Sequence, residues 1–173
     1  MTIGYIFTFL NYICYCLSRF SKEKKNIFIL DIIAKIFTII ALYFLGSLSG
    51  AYSFIISFIT IIFCNIKERK QFPKYIDKIF FIIFEIGYLI VLICTFSGVS
   101  SILIFITSTV TLFANWFLPS QKMRLVGIPN SIIYLSYQIS IKNLIGLLEI
   151  FVIVSNIVSY LHYKKGGNKN ELS

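Results

Sequence analysis

Between Lys35 and Lys67 the chain carries no charged side chain, and between Lys78 and Lys122 only Glu85 interrupts a second such run. Each run exceeds 30 residues, whereas one helix crosses a bilayer in about 20. Each run must therefore fold back on itself as two helices joined by a turn. Turn-forming residues stand where they are needed, GSLSG at 46–50 and FSG at 96–98. Composition agrees: of 173 residues, 58% are hydrophobic and 13% charged, more apolar surface than a soluble domain of this size can bury. Strands do not compete, because the runs lack period-two alternation and only helices or closed barrels satisfy the backbone in lipid.

The pattern predicts an all-α membrane protein with seven spans, near 3–18, 27–45, 48–66, 79–95, 99–118, 125–141 and 143–163. Lys and Arg collect in alternate connections. The first holds Arg19, Lys22, Lys24 and Lys25, the third Lys67, Arg69, Lys70, Lys74 and Lys78, and the fifth Lys122 and Arg124. The second and fourth hold none, the sixth only Lys142, and the C-terminal segment has Lys164, Lys165 and Lys169. The positive-inside rule then predicts a bacterial inner-membrane protein with the N-terminus outside and the C-terminus cytoplasmic. The +9 net charge is split among these loops, which suits anionic lipid headgroups as partners and not nucleic acid. Assembly with further copies of the chain stays open.

SKEKKNIFILDIIAKIFT, from Ser21, is similar in pattern to SQKMRLVGIPNSIIYLSY, from Ser120. At an offset of 99, Asp31 falls on Asn130, Lys35 on Tyr134 and Thr38 on Tyr137. With a shift of about three at the outer turn, Ser53 falls on Glu149 and Thr60 on Asn156. This predicts two parallel three-helix bundles, 1–70 and 98–165, joined by a linking helix at 71–97, with 166–173 a disordered cytoplasmic tail. Asn130, Tyr134, Tyr137 and Gln138 share one helical face, as do Asp31, Lys35 and Thr38. A charge at bilayer depth costs about 2.5–3.5 kcal/mol on insertion scales, so both stripes are expected to turn inward and line a path, with Glu149 and Asn156 adding contacts. Asp31 and Lys35, one turn apart, are expected to neutralise each other in part, although Lys35 could instead snorkel to the surface. Glu149 could pair with Lys142, or meet a cation or a proton. Pro129 removes a backbone donor and is the candidate gating residue. The bland alternative is that these polar groups are helix-packing glue, at about 0.6–2 kcal/mol each.

Other polar residues read as structural. Glu85 suits an anchor on the fourth span, His162 an interfacial position, and Cys14, Cys16, Cys64 and Cys94 buried apolar sites without metal or redox spacing. No phosphate loop, HExxH, Ser-His or Cys-His arrangement occurs at depth, so neither an enzyme nor a cofactor or metal is expected. The expected function is facilitated or ion-coupled movement of a small polar solute. A non-transporting receptor or scaffold is the alternative.

The block NWFLPSQKMRLVGIPNSIIYLSYQI at 115–139, with the SKEKKN turn and YFLGSLSGAYSFIISFITIIFCNIK at 43–67, resembles the YgjV-type bacterial inner membrane proteins along most of the chain. That resemblance implies location and architecture. The three-one-three plan and Pro129-Asn130 are also similar to the SWEET and PQ-loop transporters, which implies a solute path between bundles with Pro129 as a hinge. Asp31 has no proline near it, so only one such hinge is present, and with Trp116 the sole tryptophan, Tyr134 and Tyr137 would take the aromatic positions.

Overall fold

The computed structural model describes residues 2–70 and 72–167. They form seven long helices, α1 (Thr2–Phe20), α2 (Lys24–Phe44), α3 (Leu48–Arg69), α4 (Lys74–Cys94), α5 (Val99–Phe117), α6 (Ser120–Ser140) and α7 (Glu149–Gly167). A short 3-10 segment, Leu144–Leu148, leads into α7, and there is no strand among the described residues. The all-helical, seven-helix expectation is met. Of the expected tail, 168–173 lie outside the described residues, while α7 runs to Gly167.

Four helical segments, Lys24–Phe44, Leu48–Arg69, Val99–Phe117 and Leu144–Tyr163, are long and apolar enough to cross a membrane by length and composition alone. The other three helices fall short of that test. In α6 the reason is plain: Ser131, Tyr134, Tyr137 and Gln138 are buried inside the protein, so its polarity does not meet lipid. In α4 the three charged residues Asp77, Lys78 and Glu85 fall within any stretch long enough to span, yet Ile79, Ile82, Ile83, Ile86, Ile90 and Ile93 are all at least half exposed. Large apolar side chains stand outward on every helix, while buried polar residues are as common as buried apolar ones. This inverts the soluble pattern and is what a lipid surround requires.

Helices α4 and α6 begin five residues earlier than the apolar runs predict, because Pro73 and Pro119 set their starts. The backbone of Met123 donates to the Pro119 carbonyl at 3.0 Å, extending α6 through the basic turn. At the opposite end α2 and α6 close alike. Gly46 (φ 77°) and Lys142 (φ 57°) adopt the left-handed conformation. The following amides, Ser47 and Asn143, reach back to the carbonyls of Leu42 and Gln138, both at 3.0 Å, which is the Schellman closure.

Packing is a closed circuit. α1 packs on α2, α2 on α3, α3 on α5, α5 on α6, α6 on α7, and α7 back on α1; α4 lies outside, against α3 and α5. Phe84 and Tyr88 are the exceptions to its peripheral place: both are buried, and Tyr88 reaches in to donate to Ser57 Oγ at 3.0 Å. Glu85 accepts from Thr109 at 3.1 Å, tying α4 to α5 as an anchor.

Cations close the basic end. Lys67 reaches Asp77 and the Trp116 carbonyl, both at 2.9 Å, and Lys24 pairs with Glu68. Arg124 donates to the carbonyls of Arg19 at 3.1 Å and Ser21 at 2.5 Å, and its guanidinium lies 4.6 Å over the Tyr163 ring. Tyr163 donates to the Phe20 carbonyl at 2.6 Å. The C-terminal carbonyls of α1 and α5 thus both meet a positive side chain, which satisfies orphan acceptors and opposes the helix dipole. At the other end the helices close by contact. A Cβ on Gly50 would lie 1.9 Å from Tyr137 Oη, and one on Gly146 would lie 2.4 Å from Gln138 Cβ.

Candidate functional site

Within the circuit, from mid-depth toward the basic end, lies a cavity of about 90 Å³. Every ring helix contributes: Tyr15 and Arg19 from α1, Asp31 and Lys35 from α2, Phe54 and Ser57 from α3. Opposite them stand Thr107, Thr111 and Asn115 from α5, Gly127, Asn130, Ser131 and Tyr134 from α6, and Glu149, Val152 and Asn156 from α7. α4 contributes none. Apolar clusters bound the space, one around Phe28, Ile61, Trp116 and Met123, the other around Leu42, Phe54, Ile104 and Tyr137.

Six of the nine proposed path-lining residues, Asp31, Lys35, Asn130, Tyr134, Glu149 and Asn156, face this cavity. The other three do not. Thr38 Oγ1 returns to the Ala34 carbonyl at 2.9 Å, one turn back on its own helix. Tyr137 bonds Ser47 at 2.7 Å, and Gln138 accepts from Asn143 at 2.9 Å. Both sit a turn nearer the far end than Tyr134, so they close the ring above the cavity. Pro129 lies inside an unbroken α6.

The charges pair differently from expectation. Asp31 makes its contact with Arg19, at 3.4 Å, and offsets the Lys35 charge only from beyond ion-pair distance. Lys35 neither snorkels nor pairs with an acid at ion-pair distance. It is 2% exposed, donates to Ser57 at 3.0 Å, and lies 5.0 Å from the centre of the Phe54 ring. Ser57 therefore accepts from both Lys35 and Tyr88. Glu149, 4% exposed, does not reach Lys142, which the left-handed turn holds at the surface. Ser131 and Tyr12 stand beside its carboxyl.

Several buried polar atoms of the lining have no protein partner: Arg19 Nε, Asp31 Oδ1, Asn130 Oδ1, Tyr134 Oη and Asn156 Oδ1. Asn130 spends its amide nitrogen on Thr111 at 2.9 Å, leaving the oxygen free. Leaving one such atom unsatisfied costs about 1–3 kcal/mol. Five such atoms belong to residues that line this cavity, a concentration of unsatisfied polar groups that a packed apolar core does not show.

The sequence missed Arg19, Tyr15, Ser57 and Asn115 as lining residues. Thr8, Asn11, Tyr15 and Arg19 repeat at helical spacing on α1, a stripe the basic turn obscured. Helices α2 and α6 are equal in length and stand at a different offset from the expected one. α6 begins and ends 96 positions after α2, not 99. At 96 the cavity pairs Arg19 with Asn115, Asp31 with Gly127, Lys35 with Ser131 and Tyr15 with Thr111. Charges thus stand on α1 and α2, with small or neutral groups at the matching places on α5 and α6.

No curated protein and no solved structure matches the chain. Residues 2–166 match the Imp-YgjV family, bacterial inner membrane protein. With almost its whole length covered and an apolar exterior around a polar interior, the chain belongs to that family of bacterial inner membrane proteins.

Proposed function

We propose that the protein carries a small polar solute across the inner membrane through the six-helix circuit. α1–α3 and α5–α7 act as two like-oriented bundles and α4 links them, with the basic end in the cytoplasm. One observation carries this: a cavity near mid-depth lined by all six ring helices, five of whose lining residues hold a buried polar atom that the protein itself leaves unpartnered. Pure packing glue would consume those groups between helices. The correspondence of lining residues at 96 supports the two-bundle reading, since repeats of this kind place a site at their interface. The Ser47–Tyr137 contact and the Arg124 cluster close opposite ends, so passage requires them to open in turn. Pro129, two residues beyond Gly127, leaves the Leu125 carbonyl without its helical donor and gives α6 a place to bend.

Thiol access tests the path. In a chain whose four native cysteines are replaced, Asn130→Cys and Asn156→Cys are expected to react with a small hydrophilic thiosulfonate in membranes. Ile132→Cys, on the exposed face of α6 at 53%, is expected to stay inert. Equal inertness at all three sites in folded protein would remove the conduit and favour a receptor or scaffold.

A further inference from the structure

We infer that the solute is a small zwitterion, an amine and a carboxylate in one molecule, bound between Lys35 and Glu149; this rests on the conduit reading above. The lining holds four formal charges, Arg19 and Lys35 positive, Asp31 and Glu149 negative. They sum to zero, so the cavity as a whole favours a solute without net charge. Their pairing is uneven. Arg19 and Asp31 meet each other, while Lys35 and Glu149, 2% and 4% exposed, each lack an oppositely charged partner at ion-pair distance.

Asp31 and Arg19 offset these two charges only from beyond contact, and a buried charge without a contacting counter-charge is strongly unfavourable. Lys35 uses one of its three donors on Ser57 and rests over Phe54, which leaves donors for a carboxylate. Glu149 has the neutral side chains Ser131 and Tyr12 beside its carboxyl and Arg19 farther off, and it suits an ammonium group. A simple anion would answer Lys35 and be repelled by Glu149; a simple cation would do the reverse. A neutral polyol would leave both uncompensated. A zwitterion answers both at once. Size narrows the class further: 90 Å³ holds on the order of half a dozen waters at 10–15 Å³ each, about the heavy-atom count of the smallest amino acids.

The test uses purified full-length protein in nanodiscs, with binding read by titration calorimetry and thermal shift. The probes are glycine, β-alanine and γ-aminobutyrate, against propionate, propylamine and glycerol. At least one zwitterion is expected to bind about tenfold or more tightly than every singly charged or neutral probe. Lys35→Gln and Glu149→Gln are each expected to erase that preference, a change of roughly tenfold or more for a buried charged contact. Should either variant fail to fold, the ranking of probes on the unaltered chain decides alone. Glycerol, propionate or propylamine binding as well as the best zwitterion, or no probe binding, overturns the assignment. If Asn130→Cys nonetheless reacts with the hydrophilic thiosulfonate, only the ligand class is wrong; if it does not, the conduit falls with it.

Discussion

Gly50→Ala is expected to destabilise the protein by about 2 kcal/mol, although alanine is the better helix former by about 1 kcal/mol. The new Cβ would stand 1.9 Å from Tyr137 Oη and 3.0 Å from both Tyr137 Cζ and Leu42 Cδ1. Tyr137 is fully buried and stacked on Tyr134, with ring centres 5.6 Å apart, so it has nowhere to swing. Overpacking of this kind costs about 1–3 kcal/mol, and loss of the Ser47–Tyr137 bond adds about 1 kcal/mol. Together these outweigh the helical gain. The measurement is reversible unfolding in mixed micelles. A second substitution isolates the cause: Tyr137→Phe removes the clashing oxygen, so the pair should recover about half of the Gly50→Ala loss. Strict additivity in that double-mutant cycle would show that the hydroxyl is not what Gly50 accommodates.

The parts of this structure visible from sequence are those that lipid dictates. Two runs too long for one helix, one uncharged and one broken only by Glu85, forced the hairpins α2–α3 and α4–α5, and a polar stripe at helical spacing on α6 had to face inward. Depth along that stripe was not legible. Asn130, Tyr134, Tyr137 and Gln138 share a face, yet the first two line the cavity and the last two close the ring above it. The distinction depends on which glycine of a facing segment meets each side chain, a tertiary fact. The offset between α2 and α6 was hidden for a related reason. Aligning the basic turns gave 99, whereas the left-handed turns at Gly46 and Lys142 and the starts at Lys24 and Ser120 stand 96 apart. Nothing in a lysine's identity foretells a positive φ, because there the fold imposes a conformation that glycine adopts freely.

Arg124 stands in a basic turn, where a charge for lipid headgroups is expected, and its 1% exposure leads to the opposite expectation. Arg124→Met should cost about 2–4 kcal/mol, since hydrogen bonds from a charged donor contribute about 1.5–3 kcal/mol and two acceptor carbonyls at the end of α1 lose it together. The damage should be local as well. With Arg19 and Ser21 carbonyls released, the turn carrying Lys22, Lys24 and Lys25 loosens, and trypsin should cut there several-fold faster than in the unaltered protein. Arg124→Lys separates the two roles. An ammonium keeps the charge that headgroups would feel, but it lacks the planar fork that reaches two carbonyls while lying flat on Tyr163. Lysine should therefore behave nearly as badly as methionine in both unfolding and proteolysis. A lysine variant as stable and as protease-resistant as the parent would mean that charge alone suffices, and that α6 does not hold the end of α1 in place.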